Sequence, residues 1–378
     1  MFKAFAYRLY PTASQKRTLG ETLETCRHFY NKCLEERKLA YEQSGKTIGF
    51  VEQCRQVKVV KANNPYAANV HSHILQTVVK DLQKAFDAFF RRVKAGEKPG
   101  YPRFKPRQRF RSFGLKEHGN GFRVDGRRLK ISGIGRIPVR WHRPLEGTVK
   151  SVRVQRRAGK WYAIFACEVA AQPLPDNANE VGLDVGLNSL VTLSTGEQVE
   201  NPRWYRKTQR KLRQLHRKVH RRKKGGSNRR KAVLTLAKFQ ECVSNQRKDY
   251  LNKLAHGLIV RFGRIALEDL AIRRMVRGRF AKSILDAGWG YFRQRLLCKA
   301  ENAGRKIALV EPAHTSQDCC QCGHRQKLSL KDRWYTCLQC GNSRNRDENA
   351  AANILQAGRA CWASNSSVEG LAQEAAGL

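Results

Sequence analysis

Two copies of one short pattern near the C-terminus constrain the folding of this chain more than any other feature. Cys319-Cys320-Gln321-Cys322-Gly323 and Cys337-Leu338-Gln339-Cys340-Gly341 both read C-x-x-C-G, with 14 residues between Cys322 and Cys337. Two such turns bring four thiolates onto one tetrahedral Zn²⁺, and the glycine after each pair lets the backbone wrap the sulfurs. The expected ligands are Cys319, Cys322, Cys337 and Cys340. Cys320 is a spectator, because a bite from Cys320 to Cys322 is too short for a good knuckle. The other eight of the 12 cysteines lack framework spacing. That pattern suits a reducing interior, where paired cysteines bind metal.

The formal charge is +43, from 74 Lys+Arg against 31 Asp+Glu over 378 residues. Such an excess repels itself unless a polyanion neutralises it, and phosphate contacts with counterion release supply affinity without sequence preference. Nucleic acid is therefore the expected partner. A hydrophobic content of 41% and six Trp point to packed domains, not a basic tail. No apolar run reaches the ~18 residues of a membrane span, and the start lacks the apolar core of a secretory leader. A cytoplasmic location, away from any membrane, is the expectation.

Along the chain, residues 1–10 alternate like a strand. From Ser14 to about Arg92 the apolar spacing is helical, with Leu19, Leu23, Cys26, Phe29, Tyr30 and Leu34 on one stripe and Leu75, Val78, Val79, Leu82, Phe86 and Phe89 on another. A basic loop punctuated by Pro and Gly follows, Gly100-Tyr101-Pro102-Arg103-Phe104-Lys105. Residues 110–170 are strand-like, which suggests a β-barrel that begins with residues 1–10 and carries the helical block as an insertion. After a linker at 172–180, strands and helices alternate in an α/β order. Residues 204–260 form a long basic helical stretch broken at Gly225-Gly226-Ser227-Asn228.

Three carboxylates stand out by position. Asp184 ends the apolar run Val181-Gly182-Leu183, Glu268 ends Ile265-Ala266-Leu267, and Asp347 opens a helical run after the second cysteine pair. A buried strand end is a costly place for an isolated carboxylate, and the cost falls if the three converge on divalent metal. Their hard oxygens suit Mg²⁺, which keeps positions for water and phosphate oxygens. Two such ions activate an attacking water and stabilise a leaving 3′ oxygen.

The sequence resembles the TnpB (OrfB) family of insertion-sequence proteins, relatives of the type V CRISPR effectors. The resemblance rests on Gly182-Leu183-Asp184-Val185-Gly186, Ala266-Leu267-Glu268-Asp269-Leu270, Asp286-Ala287-Gly288-Trp289, Thr315-Ser316-Gln317-Asp318-Cys319, the two cysteine turns and Arg346-Asp347-Glu348-Asn349-Ala350-Ala351-Ala352-Asn353-Ile354. It implies a multidomain α+β protein. A β-barrel wedge (1–10 and 96–172) would hold a helical recognition domain (11–95). An RNase H-like RuvC α/β nuclease (181–314 and 343–360) would hold the zinc ribbon (315–342), and a flexible tail (361–378) would close the chain. It also implies an RNA-guided DNA endonuclease with Asp184, Glu268 and Asp347 as catalytic acids. Its partners would be a non-coding guide RNA from its own element and target duplex DNA beside a short flanking motif, in a monomeric ribonucleoprotein.

Candidate nucleic-acid contacts are Arg221, Arg222, Lys223 and Lys224 in the basic helical stretch, Arg103 and Lys105 in the Pro/Gly loop, and Gln76, Thr77 and Lys80 on the polar face of the second helix, where they would read base edges. Two other functions stand beside the guided nuclease. One is a DDE-like transposase that joins DNA strands through the same triad. The other is a non-cleaving nucleic-acid-binding regulator.

Overall fold

The computed structural model describes residues 1–329 and 332–376, with side chains described as far as Ser364. The expected tail at 361–378 therefore lies largely outside the described side chains. The chain forms two compact units, Met1–Ala170 and Ala171–Leu378.

The first unit runs β1 (Phe2–Leu9), α1 (Ala13–Ser44), α2 (Phe50–Asn63), α3 (Pro65–Ala68), α4 (Ser72–Lys94), β2 (Ser112–Leu115), β3 (Glu117–His118), β4 (Gly121–Asp125), β5 (Arg128–Ile131), β6 (Gly135–Arg140), β7 (Thr148–Arg157) and β8 (Lys160–Glu168). Thr12 starts α1 with a capping box shared with Gln15, and Gly45 stops it at φ 65°. The stripe expected on α1 is buried, as are Leu75, Val78, Val79, Leu82 and Phe86 on α4, while Phe89 is half-buried. The N-terminal strand is central: β1 pairs with β8 along its whole length and with β6 on its other side.

The sheet order is β2-β7-β8-β1-β6-β5-β4-β3, an open eight-stranded sheet. This corrects the expected closed barrel. At one end β3 has only two residues and pairs only with β4. At the other end helix α4 packs against β2: the side chain of Thr77 lies over Gly114, and Asp81 on α4 pairs with Arg153 of β7 at 2.8 Å. A helix that covers an edge removes the need to close the sheet on itself.

The second unit runs β9 (Glu180–Asp184), β10 (Ser189–Leu193), β11 (Gln198–Glu200), α5 (Trp204–His220), α6 (Ser227–Arg261), β12 (Arg264–Glu268), α7 (Ile272–Met275), α8 (Ala281–Ala287), α9 (Trp289–Ala303), β13 (Lys306–Val310), β14 (Trp334–Thr336), β15 (Ser343–Asn345) and α10 (Arg346–Ala376). Its sheet order is β11-β10-β9-β12-β13. Strands β11, β10 and β9 are antiparallel, whereas β9, β12 and β13 are parallel. One face carries Val181, Leu183, Ile265 and Leu267 into a core with α6 and α9. The other presents Ala266, Ala308 and Val310 to Ile354 and Trp362 of α10.

Candidate active site

Two of the three acids are placed by strand register. In the parallel pair β9–β12, Arg264 lies opposite Glu180 and Leu267 opposite Leu183. The next step puts Asp184 and Glu268 side by side at the C-terminal ends of adjacent parallel strands, the edge where open α/β sheets place their ligands. Asp347 arrives from α10, in its first turn. Its backbone N–H donates to Asn345 Oδ1 at 2.9 Å.

Glycine sets how close that helix comes. A Cβ on Gly182 would lie 2.1 Å from the Ala351 carbonyl oxygen and 2.7 Å from the Leu355 nitrogen, and one on Gly358 would lie 2.4 Å from Ala266 Cβ. Strand and helix backbones therefore meet without side chains between them, two residues before Asp184 on one side and four after Asp347 on the other.

The electrostatics follow from this crowding. Burial, then the charges of Glu268 and Asp347, push the Asp184 carboxyl up to about 8, against a smaller opposing pull from Arg346. Burial also raises Glu268, offset in part by a hydrogen bond that Thr315 Oγ1 donates to Glu268 Oε1 at 2.5 Å. A cluster of this kind is unfavourable as three bare anions, and a cation of oxygen-seeking chemistry would relieve it.

The four predicted zinc cysteines converge. Among the described residues, Cys319, Cys322, Cys337 and Cys340 are the one set of three or more Cys, His, Asp or Glu whose ligand atoms all lie within 4.8 Å of one another. The three carboxylates are spread more widely than that. Sγ–Sγ distances of 3.7 Å (Cys319–Cys340) and 3.5 Å (Cys322–Cys337) approach the roughly 3.8 Å edge of a tetrahedron with Zn–S bonds of about 2.3 Å. Burial alone would raise the Cys319 thiol. Backbone N–H groups of Cys322 and Gln321, the Asn342 amide and the Cys340 thiol outweigh it and bring Cys319 down to about 6. Cys320 stands outside the set, and all 12 cysteines are free of disulfides. Tyr335, wholly buried, props the ribbon by donating toward the carbonyls of Gln317 and His324.

The candidate nucleic-acid contacts divide. Arg221, Arg222, Lys223 and Lys224 are exposed in the turn between α5 and α6, whose shared apolar seam is Leu212, Val219, Ala232 and Leu236. Arg103 and Lys80 are exposed, and Gln76 accepts a hydrogen bond from Lys116 Nζ at 2.8 Å. Two residues are turned away from the expected role. Asn31 grips the backbone of Lys105 on both sides, and the Lys105 ammonium lies 3.9 Å from the Tyr30 ring centre, so it packs inward. Thr77 is half-buried against Gly114, and its hydroxyl donates to the His73 carbonyl at 2.7 Å.

Four residues not assigned individual roles from sequence tie elements of the second unit together. Asp286, 6% exposed, accepts from the Tyr205 N–H with both oxygens at 2.8 Å and from Arg247 Nη2 at 2.8 Å. It caps α5 from outside, where Arg203 sits at φ 51° and offers no side-chain cap. Thr315 donates to Glu268, and Asn349 and Asn353 of α10 bond the backbone of Thr315, Asp318 and Cys320. All four lie in the segments that carry the resemblance, which drew attention to them without showing these contacts. Among the described residues, no helix is long and apolar enough to cross a membrane.

Three family descriptions match the chain: "Probable transposase" of the OrfB_IS605 type over residues 151–279, "Cas12f1-like, TNB domain" over 289–354, and "Helix-turn-helix domain" over 1–46. Residues 1–46 here hold a strand and one long helix. A Streptomyces pristinaespiralis protein named "Putative RNA-guided DNA endonuclease" is 35% identical, over 96% of this chain and 90% of its own. InsQ of Escherichia coli K12, which carries the same description, is 31% identical over 97% and 95%. The solved structure of a Cas12f1–sgRNA–target DNA complex shares the fold, with a TM-score of 0.60 at 14% identity over 94% of this chain and 98% of that one. A strand-end acid pair, a helix-borne third acid and a four-thiol ribbon are thus joined to relatives that span nearly the whole chain, and the protein belongs to the TnpB (OrfB) family, kin to the type V CRISPR effectors.

Proposed function

We propose that this protein is an RNA-guided DNA endonuclease of an insertion sequence, cleaving duplex DNA by Mg²⁺-dependent phosphodiester hydrolysis. The observation that carries the chemistry is the meeting of Asp184, Glu268 and Asp347 at one sheet edge, with Asp184 held up to about 8 by burial and by the other two acids. The names and bound partners of the relatives support the guide RNA and the duplex DNA target.

Asp184, Glu268 and Asp347 would hold the metal, and Asp184 feels the charges of the other two. Bound there, Mg²⁺ would supply an activated water and charge neutralisation at the scissile phosphate. The chain's own work is positional. The β9–β12 register fixes two carboxylates, and Gly182 lets α10 bring the third. The four-cysteine ribbon would hold structural Zn²⁺ and fold with it.

The mixed sheet with α10 across it supports an RNase H-like, RuvC-type nuclease over 181–314 and 343–360, with the ribbon at 315–342. In the first unit, the sheet at 1–10 and 96–172 would be the wedge and the helices at 11–95 the recognition domain. The exposed cations between α5 and α6 would contact RNA or heteroduplex backbone, and the particle would be a monomer.

The test is to sequence the RNA that copurifies with the protein and to offer duplex DNA matching it, with Mg²⁺. A discrete RNA and cleavage confined to matched DNA are expected. Equal cutting of unrelated duplexes, or strand joining in place of cleavage, would overturn the proposal in favour of an unguided nuclease or a transposase.

A further inference from the structure

Between the zinc ribbon and the acid cluster runs a chain of hydrogen bonds that neither metal site accounts for. The Thr315 hydroxyl donates to Glu268 Oε1 at 2.5 Å, from a segment 47 residues away in sequence. The Thr315 carbonyl in turn accepts from Asn353 Nδ2 at 2.8 Å, and the same amide reaches the Asp318 carbonyl at 2.7 Å. One helical turn earlier, Asn349 donates to that Asp318 carbonyl at 2.7 Å and accepts from the Cys320 N–H at 3.0 Å. Gln356 closes the ladder on the Cys320 carbonyl at 2.8 Å. Asn349 is 0% exposed, so this amide is committed to the ribbon backbone and not to solvent. Its partners, one a carbonyl and one an N–H, fix which way it points.

We propose that Thr315 and Asn353 are positioning residues that set Glu268 for metal binding, and that through them the first zinc turn and helix α10 hold two of the three acids in register. This rests on the reading of Glu268 and Asp347 as metal-binding acids. A hydroxyl donated to one carboxylate oxygen fixes the rotamer and leaves Oε2 as the free ligand atom. Asn353 fixes Thr315 by its backbone, from the same helix that carries Asp347 six residues earlier. The ribbon is thus more than a folded appendage: its backbone between Thr315 and Cys320 is the strap by which α10 and the end of β12 are tied together. Partners of metal-ligating carboxylates typically change metal affinity or activity by about 10–100-fold when removed.

The test uses the ribonucleoprotein with Thr315→Val, which keeps shape and loses the hydroxyl, and Thr315→Ser, which keeps the hydroxyl. Mn²⁺ affinity, read from the free-ion EPR signal without DNA, should weaken about tenfold or more in the Val variant and stay near wild type in the Ser variant. The Mg²⁺ concentration for half-maximal cleavage should shift in parallel, while zinc content and bound RNA stay unchanged. Asn353→Ala should weaken Mn²⁺ binding too, and the Val/Ala double variant should be little worse than Thr315→Val alone, because both break one chain. Wild-type Mn²⁺ affinity in Thr315→Val, equal defects in Val and Ser, or multiplied defects in the double variant would each overturn the proposal. Failure of the wild type to cleave matched DNA at all would instead count against the nuclease reading.

Discussion

The four thiols and the three carboxylates lie in the same unit, and they differ in how complete each is before any cation arrives. The thiols already stand close to tetrahedral spacing, and backbone N–H groups hold Cys319 ready to ionise at about 6. The carboxylates are more widely spread, and Asp184 resists ionising until about 8. The first arrangement suits a closed structural site and the second an open one that must admit water and phosphate. The contrast teaches that one chain can assemble two sets of candidate ligands by opposite means. Local turns with glycines make the ribbon, and strand register with a close-packed helix makes the acid cluster.

The largest effect that would break this contrast is expected at the acids. Glu268→Ala and Asp347→Ala should each reduce matched-DNA cleavage below detection, while zinc content and copurified RNA stay at wild-type levels. Near-normal cleavage by either would show that the wrong acid has been assigned.

Next comes the ribbon. Cys337→Ser should lose the one zinc per chain and loosen the second unit, since zinc binding energy is folding energy in such modules. Elemental analysis and limited proteolysis would read this. Cys320→Ser should leave the zinc content unchanged, and zinc loss there would mean that the fifth cysteine takes part.

A smaller effect should separate stability from function at Asp184. Its folded value of about 8 is raised from 3.8, so the unfolded chain releases a proton that the folded one keeps. Without metal, the stability linked to this group is fully present below about pH 4 and is lost as pH rises toward 8. Asp184→Asn should therefore melt higher than wild type at pH 8 without metal, by about 2–4 °C for each kcal/mol relieved. The gain should shrink toward pH 4, and added Mg²⁺ should stabilise only the wild type. A variant that melts lower than wild type at pH 8 would contradict the strained-acid account.

The smallest effect concerns the exposed cations. Neutralising Arg221, Arg222, Lys223 and Lys224 together should lower the salt slope of RNA binding by up to about 3–4, at roughly 0.7–0.9 per phosphate contact. An unchanged slope would make this turn a solvated surface.

Much of this was legible in the sequence because the signals are local. Apolar runs that stop at Asp184 and Glu268 announce strand ends, C-x-x-C-G announces the knuckles, and the stripe from Leu19 to Leu34 announces α1. What depends on distant pairing was not legible. Barrel closure turned on whether β3 and β2 find partners, and a two-residue strand gives no pattern to read. Strand β6 carries Gly135 and Pro138, which mask it as a turn. The inward fold of Lys105 depends on Asn31, 74 residues away. The hydroxyl on Glu268 comes from Thr315, whose type and neighbours carry no hint of that contact.

The most direct test of the central claim is matched-DNA cleavage by the purified ribonucleoprotein, wild type beside Asp184→Ala, each in Mg²⁺ and in EDTA. Cleavage by the wild type in Mg²⁺ alone, with none from the variant although it binds RNA and target equally well, is the predicted result. Cleavage by Asp184→Ala at the wild-type rate, or by the wild type in EDTA, would contradict it.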